Sequence, residues 1–169
     1  MTRRQRRLPT KHELGVWRGY IETAEAVRSK LADRLQADFG LSSGDYQVLV
    51  TLSEAPDNRL RSTELAFKMG WEKSRLSHHL SRMERRNLVS RQDCADDNRG
   101  AWIVHTREGE QAFQNSTVPH LMAIREIFVE ALSPEEIDQI DALTRKLRSK
   151  LEGTNSGSRT RPSDAPGYA

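Results

Sequence analysis

The stretch EKSRLSHHLSRMERRNLVSRQDCADDNRGAWIVHT, residues 72–106, decides how the rest of the chain is read. Its first half, about 72–87, has helical spacing. At about 100° per residue, Leu76, Leu80, Met83 and Asn87 fall on one stripe. Ser74, His78, Ser81 and Arg85 fall near the opposite side, with Arg75 and Arg82 flanking them. Glu72 and Glu84 read as nearer the buried side, so the outer face carries hydroxyl, imidazole and guanidinium groups and no carboxylate. A groove lined with phosphate needs such a face: hydrogen-bond donors, positive charge and nothing that repels an anion. A merely solvated helix would ordinarily mix Glu and Lys at i,i+4. On the helix alone that plainer reading stays open.

The second half narrows the choice. Residues 89–93, VSRQD, and 102–105, WIVH, read as two short β runs, and CADDNRGA between them supplies turn residues with Gly100 near the tip. Arg99 at that tip suits a narrow minor groove, whose negative potential attracts guanidinium, and Asp97 is placed to hold its fork. An ordinary surface turn with a local ion pair would look the same in isolation. Following the helix just described, the hairpin gives the order of a winged helix-turn-helix.

Upstream, STELAFKMG (62–70) reads as a brief helix, capped by Ser62 or Thr63, with Leu65, Ala66 and Met69 facing inward and Gly70 ending it. Arg59-Leu60-Arg61 is no more than a β stub. Ser42, Ser43 and Asp45 open an earlier helix with Tyr46, Val48, Leu49 and Leu52 as its apolar set, closed by Pro56. Residues 11–38 read as a long helix through Leu14, Trp17, Ile21, Ala24, Val27, Leu31 and Leu35, stopped by Gly40.

Downstream, a helix over about 107–131 carries Ala112, Phe113, Leu121, Ile124, Ile127 and Phe128, and Pro119 should kink or break it. The last helix opens at SPEE: Ser133 as N-cap, Pro134 at the first helical position, Glu136 completing a capping box. Ile137, Ile140, Leu143, Leu147 and Leu151 follow at helical spacing.

The expected organisation is therefore a basic arm (1–10, with Arg3, Arg4, Arg6 and Arg7), one unit over 11–152, and a tail (153–169). The tail is too poor in apolar residues to offset its ordering entropy and is expected to be disordered. Within the unit, 42–106 form the winged segment, with its own small core. The helices of 11–38 and 107–152 keep apolar stripes that need a partner. A second copy of the chain is the economical one, and a larger monomeric bundle is the alternative. The fold class is mainly α with a small β wing.

Composition limits the function. The net charge of +3 permits a nucleic-acid partner, and the 6% of aromatic residues argues against a large all-β core. The one cysteine, Cys94, allows no disulfide within a chain and no C-x-x-C motif. Its carboxylate neighbours would raise its pKa, partly opposed by Arg91 and Arg99, so it reads as structural or incidental. No apolar segment follows the basic N-terminus, and no window reaches the roughly 18 apolar residues of a membrane span, so a soluble cytoplasmic protein is expected. Phosphate-loop, dinucleotide, nucleophile-elbow and zincin motifs are missing. His78 and His79 are adjacent and point about 100° apart on a helix, so they do not share a metal from one face. No enzyme activity, metal or cofactor is expected.

At STELAFKMG, SRLSHHLSRMERRNLVSR, DDNRG and the junction HT-REGEQAF the chain resembles the multiple antibiotic resistance regulator (MarR) family of bacterial transcription factors, over about residues 11–152. The resemblance implies a winged helix-turn-helix repressor, a homodimer through its terminal helices, bound to a pseudo-palindromic operator in double-stranded DNA. Ser74, Arg75, Ser77, His78, Ser81 and Arg82 are the implied contacts in the major groove, Arg85 and Arg86 reach phosphates, and Asp97 and Arg99 form the pair at the wing tip. It also implies a small effector, an aromatic acid, phenol or drug, in a cleft where Trp17, Arg18, Tyr20, Tyr46 and His120 are placed to line the walls. The pattern departs at the end of the second wing strand, where the usual Leu-Thr is His105-Thr106. The competing function is a winged-helix module for protein interaction, or a factor that coats DNA without specificity. A coating factor would lean on lysines, which are sparse over 72–99.

Overall fold

Thr10 starts the first helix by a reciprocal cap. Its hydroxyl accepts from the Glu13 amide at 3.2 Å, and the Glu13 carboxylate accepts from the Thr10 amide at 2.6 Å. The computed structural model describes residues 7–93 and 101–155, and in it α1 runs Lys11–Phe39. Gly40, left-handed at φ 65°, ends α1 and returns its amide to the carbonyls of Leu35 and Gln36. Ser42 and Asp45 repeat the reciprocal cap at 3.1 and 2.9 Å and open α2, Ser43–Ser53. Strand β1 (Arg59–Arg61) leads directly into α3 (Ser62–Met69), and α4 follows over Lys73–Arg85.

The structure departs from expectation at three places along these elements. Neither Ser62 nor Thr63 caps α3; Arg61 holds the cap position and its side chain makes no capping bond, because the residue is still paired with Trp102 in the sheet. Asn87 does not continue the apolar stripe of α4. It is exposed and left-handed at φ 57°, and it turns the chain into β2 (Val89–Asp93). Of the kink or break expected at Pro119, the break is absent: α5 runs Arg107–Ile124 through it and only then widens into a π turn over Arg125–Val129. A proline removes one amide donor, and packing of α5 on α1 and α2 holds the helix through that loss.

β3 (Ala101–His105) lies between β1 and β2 in an antiparallel sheet, with Ile103 opposite both Leu60 and Arg91. Ile103, Leu60 and Val89 turn into a core with Leu49, Leu52, Leu65, Leu76, Leu80 and Met83, all at most 2% exposed. Thr106 caps α5, its hydroxyl accepting from the Gly109 amide at 3.0 Å. Gly109 has to be glycine: an added Cβ would lie 1.8 Å from the Leu88 carbonyl oxygen. His105 stands where the resemblance implied an apolar residue. Its Nε2 donates to the Leu49 carbonyl at 3.0 Å and its ring lies 6.1 Å from Phe113, so strand and helix are tied by a bond as well as by packing.

By contacts the chain divides after Arg125. In the second unit Ser133 and Glu136 form the expected capping box, at 2.8 and 3.3 Å, at the start of α6 (Pro134–Asn155). The helix includes 153–155, which had been assigned to the tail; Gly153 does not stop it. Among the described residues no helix is long and apolar enough to cross a membrane.

Candidate nucleic-acid interface

Among the described helices, α4 is the most strongly two-sided. Leu76, Leu80 and Met83 are buried, while Ser74, Arg75, Ser77, His78, Ser81, Arg82 and Arg85 are all exposed. Glu84 is half-buried, but Glu72 is exposed at the cap position, contrary to its reading as inward-facing. It sits before the first turn, where the helical wheel no longer governs direction.

The outward side chains are not equivalent. The Arg75 guanidinium lies over the Trp71 ring, 4.1 Å from its centroid, which steers it along the helix start. Ser81 donates to the Ser77 carbonyl at 3.1 Å and accepts from Arg91 at 3.3 Å. Arg91, on β2, also reaches the Ser77 carbonyl at 3.2 Å and pairs with Glu84 at 3.3 Å. Arg91 thus ties the first wing strand to the outer helix, a link that no sequence spacing announced.

Arg86 turns the other way. It had been expected to reach outward to phosphate, yet its guanidinium binds the Asp45 carboxylate at 2.6 Å and the Gly40 carbonyl at 2.5 Å. Asp45, 2% exposed, joins α2 to α4, because His79 Nε2 also lies 3.0 Å from its other oxygen. Burial by itself would raise the Asp45 pKa. The His79, Ser42 and Arg86 contacts outweigh burial and hold the carboxyl well below the usual carboxylate range. His79 was missed as a structural residue. The spacing carried the signal, since position 79 is three past Leu76 and four before Met83, on the inner stripe.

Between α1, α2 and α4 lies a hollow of about 640 Å³, lined by Arg28, Ser43, Gly44, Gln47, Trp71, Arg75, His78, His79 and Arg82. Its walls carry three guanidinium groups and no carboxylate. On the sheet, Trp102 is flanked by Arg59 and Arg61, 4.9 and 4.8 Å from its centroid, a second basic surface that the sequence reading did not single out. Asp97 and Arg99, with Cys94, lie outside the described residues.

The residues expected to line an effector cleft fall in two places. Tyr46 and His120 come together, with ring centroids 4.5 Å apart, and Phe113 lies 6.1 Å from Tyr46. Burial pushes the His120 pKa down, and its buried Nδ1 has no protein partner. Trp17 instead lines a cavity of about 670 Å³ with Arg7, Leu8, Pro9, Glu13 and Leu14, while Arg18 and Tyr20 are exposed along α1. Among the described residues no group of three or more His, Cys, Asp or Glu is placed to hold a metal ion.

The order of α2, β1, α3, α4, β2 and β3 is that of a winged helix-turn-helix, with α4 as its outward-facing helix. The family model named MarR family matches residues 41–100. AbsC, a MarR family transcriptional regulator from Streptomyces coelicolor, is 35% identical, with a TM-score of 0.80 over 87% of this chain and 99% of that one. Sco3205, a MarR family regulator of the same organism solved in complex with DNA, is 34% identical, with a TM-score of 0.82 and 96% of each chain covered. The HTH-type transcriptional repressor YetL of Bacillus subtilis (strain 168) is 31% identical over 112 residues, 66% of each chain. The chain spans just under two thirds of the length of the curated repressors it matches, 64% and 66%. It belongs to the MarR family of transcriptional regulators.

Proposed function

We propose that the chain is a homodimeric, sequence-specific DNA-binding repressor of the MarR type, released by a small aromatic or phenolic ligand. The carrying observation is the outer face of α4, seven exposed donor side chains from Ser74 to Arg85 with no carboxylate among them. The relative Sco3205, crystallised with DNA, supports the choice of partner, and the repressor YetL supports the direction of control. In this reading Ser74, Arg75, Ser77, His78 and Arg82 address the major groove, with Ser81 braced by Arg91 behind them. Arg85 reaches a phosphate, Arg86 braces the helix end through Asp45, and Asp97 and Arg99 serve the minor groove.

Apolar side chains stay exposed on α1 (Leu14, Val16, Trp17, Tyr20), α5 (Val118, Leu121, Met122) and α6 (Leu143, Leu147, Leu151). A second copy would cover them, with 11–38 and 107–152 as the dimerisation helices and 42–106 as the DNA-reading part. The effector is best supported beside Tyr46 and His120, where an unpartnered buried nitrogen could accept a hydrogen bond.

The test is a binding selection from fragmented genomic DNA, then anisotropy across salt concentrations on the recovered duplex and a scrambled one. An inverted repeat preferred by roughly 10³ or more is the expected result. Weak, equal binding to both duplexes would turn the assignment towards a coating factor or a protein-interaction module.

A further inference from the structure

Asp45 and His79 are 2% and 7% exposed, beneath a helix whose other face is all donors. A buried carboxylate with a polar partner is weak support for stability, because its desolvation offsets most of the attraction. Its geometry does something more specific. His79 uses both ring nitrogens: Nε2 faces Asp45 Oδ1 at 3.0 Å, and Nδ1 lies 2.9 Å from Arg82 Nη2. A guanidinium only donates, so Nδ1 must be the acceptor and the imidazole proton must sit on Nε2, against the carboxylate. The Nε2 hydrogen is poorly aligned with Oδ1, so Asp45 selects this tautomer chiefly by its charge.

The ring has little freedom to leave this arrangement. Trp71 meets it edge-on at 5.2 Å, and a Cβ placed on Gly44 would sit 2.9 Å from its Cε1. Asp45 is itself held by the Ser42 amide at 2.9 Å and Arg86 at 2.6 Å. The chain of contacts therefore runs from the cap of α2, through a buried imidazole, to a guanidinium at the mouth of the basic hollow.

We propose that His79 is a positioning residue for Arg82: its neutral, Nε2-protonated ring, set by Asp45, aims the Arg82 guanidinium at DNA before DNA arrives. The inference rests on the DNA-binding reading above. A pre-aimed arginine loses less rotamer freedom on binding than a free one. Adding a proton at Nδ1 turns the acceptor into a donor and releases Arg82. The charged groups in contact with the ring are Asp45 from α2 and Arg82 from α4, with Arg86 behind Asp45; Arg28, Arg75 and His78 line the same hollow.

The experiment has two arms. Imidazole nitrogen NMR on the free full-length chain should find His79 protonated at Nε2 and bare at Nδ1, with the Nδ1 signal moving in Arg82→Ala. In the second arm, the duplex recovered by the genomic selection and its scramble are titrated against wild type, His79→Phe, His79→Gln, Arg82→Ala, and a double variant that combines His79→Phe with Arg82→Ala. His79→Phe should lower the preference for the selected duplex by about tenfold, yet add nothing in the Arg82→Ala background. His79→Gln, which keeps an acceptor and a donor, should retain most of the preference. A proton found on Nδ1, or losses that simply add in the double variant, would overturn the proposal. A chain with no preference for any duplex would sink the DNA-binding reading and the positioning role with it. The nitrogen spectra would separate that failure from a failure of the His79–Arg82 contact.

Discussion

Two arginines one turn of helix apart, Arg82 and Arg86, have opposite fates. Arg82 ends at the mouth of the basic hollow, and Arg86 is turned in onto Asp45 and the Gly40 carbonyl. Their substitutions should therefore be told apart by two different measurements. Arg82→Ala and Arg75→Ala are each expected to cost about 1–3 kcal/mol of binding on the selected duplex and much less on a scramble. Equal loss on both duplexes would assign the residue to phosphate instead. Arg86→Ala should show itself in a denaturant midpoint, since it leaves a buried carboxylate with one strong partner fewer. At the junction of the wing and α5, Gly109→Ala is expected to destabilise by about 1–3 kcal/mol, because the methyl group is driven into the backbone of Leu88. An unchanged urea midpoint in that variant would mean that Gly109 does not pack against the Leu88 backbone.

Elements are joined here by single polar contacts laid over apolar packing. β3 is fastened to α2 by the His105–Leu49 bond, and β2 to α4 by Arg91. The first of these makes a prediction about acid. Burial pushes the His105 pKa down from 6.5, while the Leu49 carbonyl and Glu110 push it back up in part. The net shift is downward, so the unfolded chain takes the proton first. The stabilising effect is complete above about pH 6.5 and is lost as the pH falls from there towards the folded value. Urea midpoints measured over that range should fall with acid in wild type and fall less steeply in His105→Leu, with His120 contributing to the slope that remains. Parallel slopes would mean that the imidazole is not buried at the strand's end. Asp45 acts at lower pH: its depressed pKa keeps its contribution present above 3.8 and removes it as the pH falls below that.

Across the molecule, apolar side chains on three helices await cover. Trp17 is 61% exposed and Leu151 70%. If a second copy covers them, the mass in solution is twice the monomer's 19.3 kDa, and the thermal midpoint rises with protein concentration. Leu147→Glu is expected to lower the association constant by at least a hundredfold, an order set by placing an unpaired carboxylate in an apolar contact. Sedimentation across a dilution series checks this, and a monomer at every concentration would send the exposed stripes in search of another partner.

Much of this protein was written in local order. The two-sided spacing of 72–87, the hairpin composition of 89–105 and the capping residues Ser42, Thr106 and Ser133 are near-neighbour signals, and they place the elements and the face that α4 turns outward. The outcome at Pro119, at the start of α3 and at Arg86 was not written there, since each depends on a partner distant along the chain: packing on α1 and α2, the pairing of Arg61 with Trp102, and a carboxylate 41 residues away. His79 lies between the two cases. Its inward direction follows from helical spacing, but its work follows from Asp45 on one side and Arg82 on the other. Helical geometry is local, so within α4 the order of residues was enough to say which side chains line each face, and it failed at Glu72 and Asn87, which lie outside the helix ends. Which of those cations are free to meet an anion, and which are already bound, was settled by folding alone, because it depends on charges brought together from distant parts of the chain.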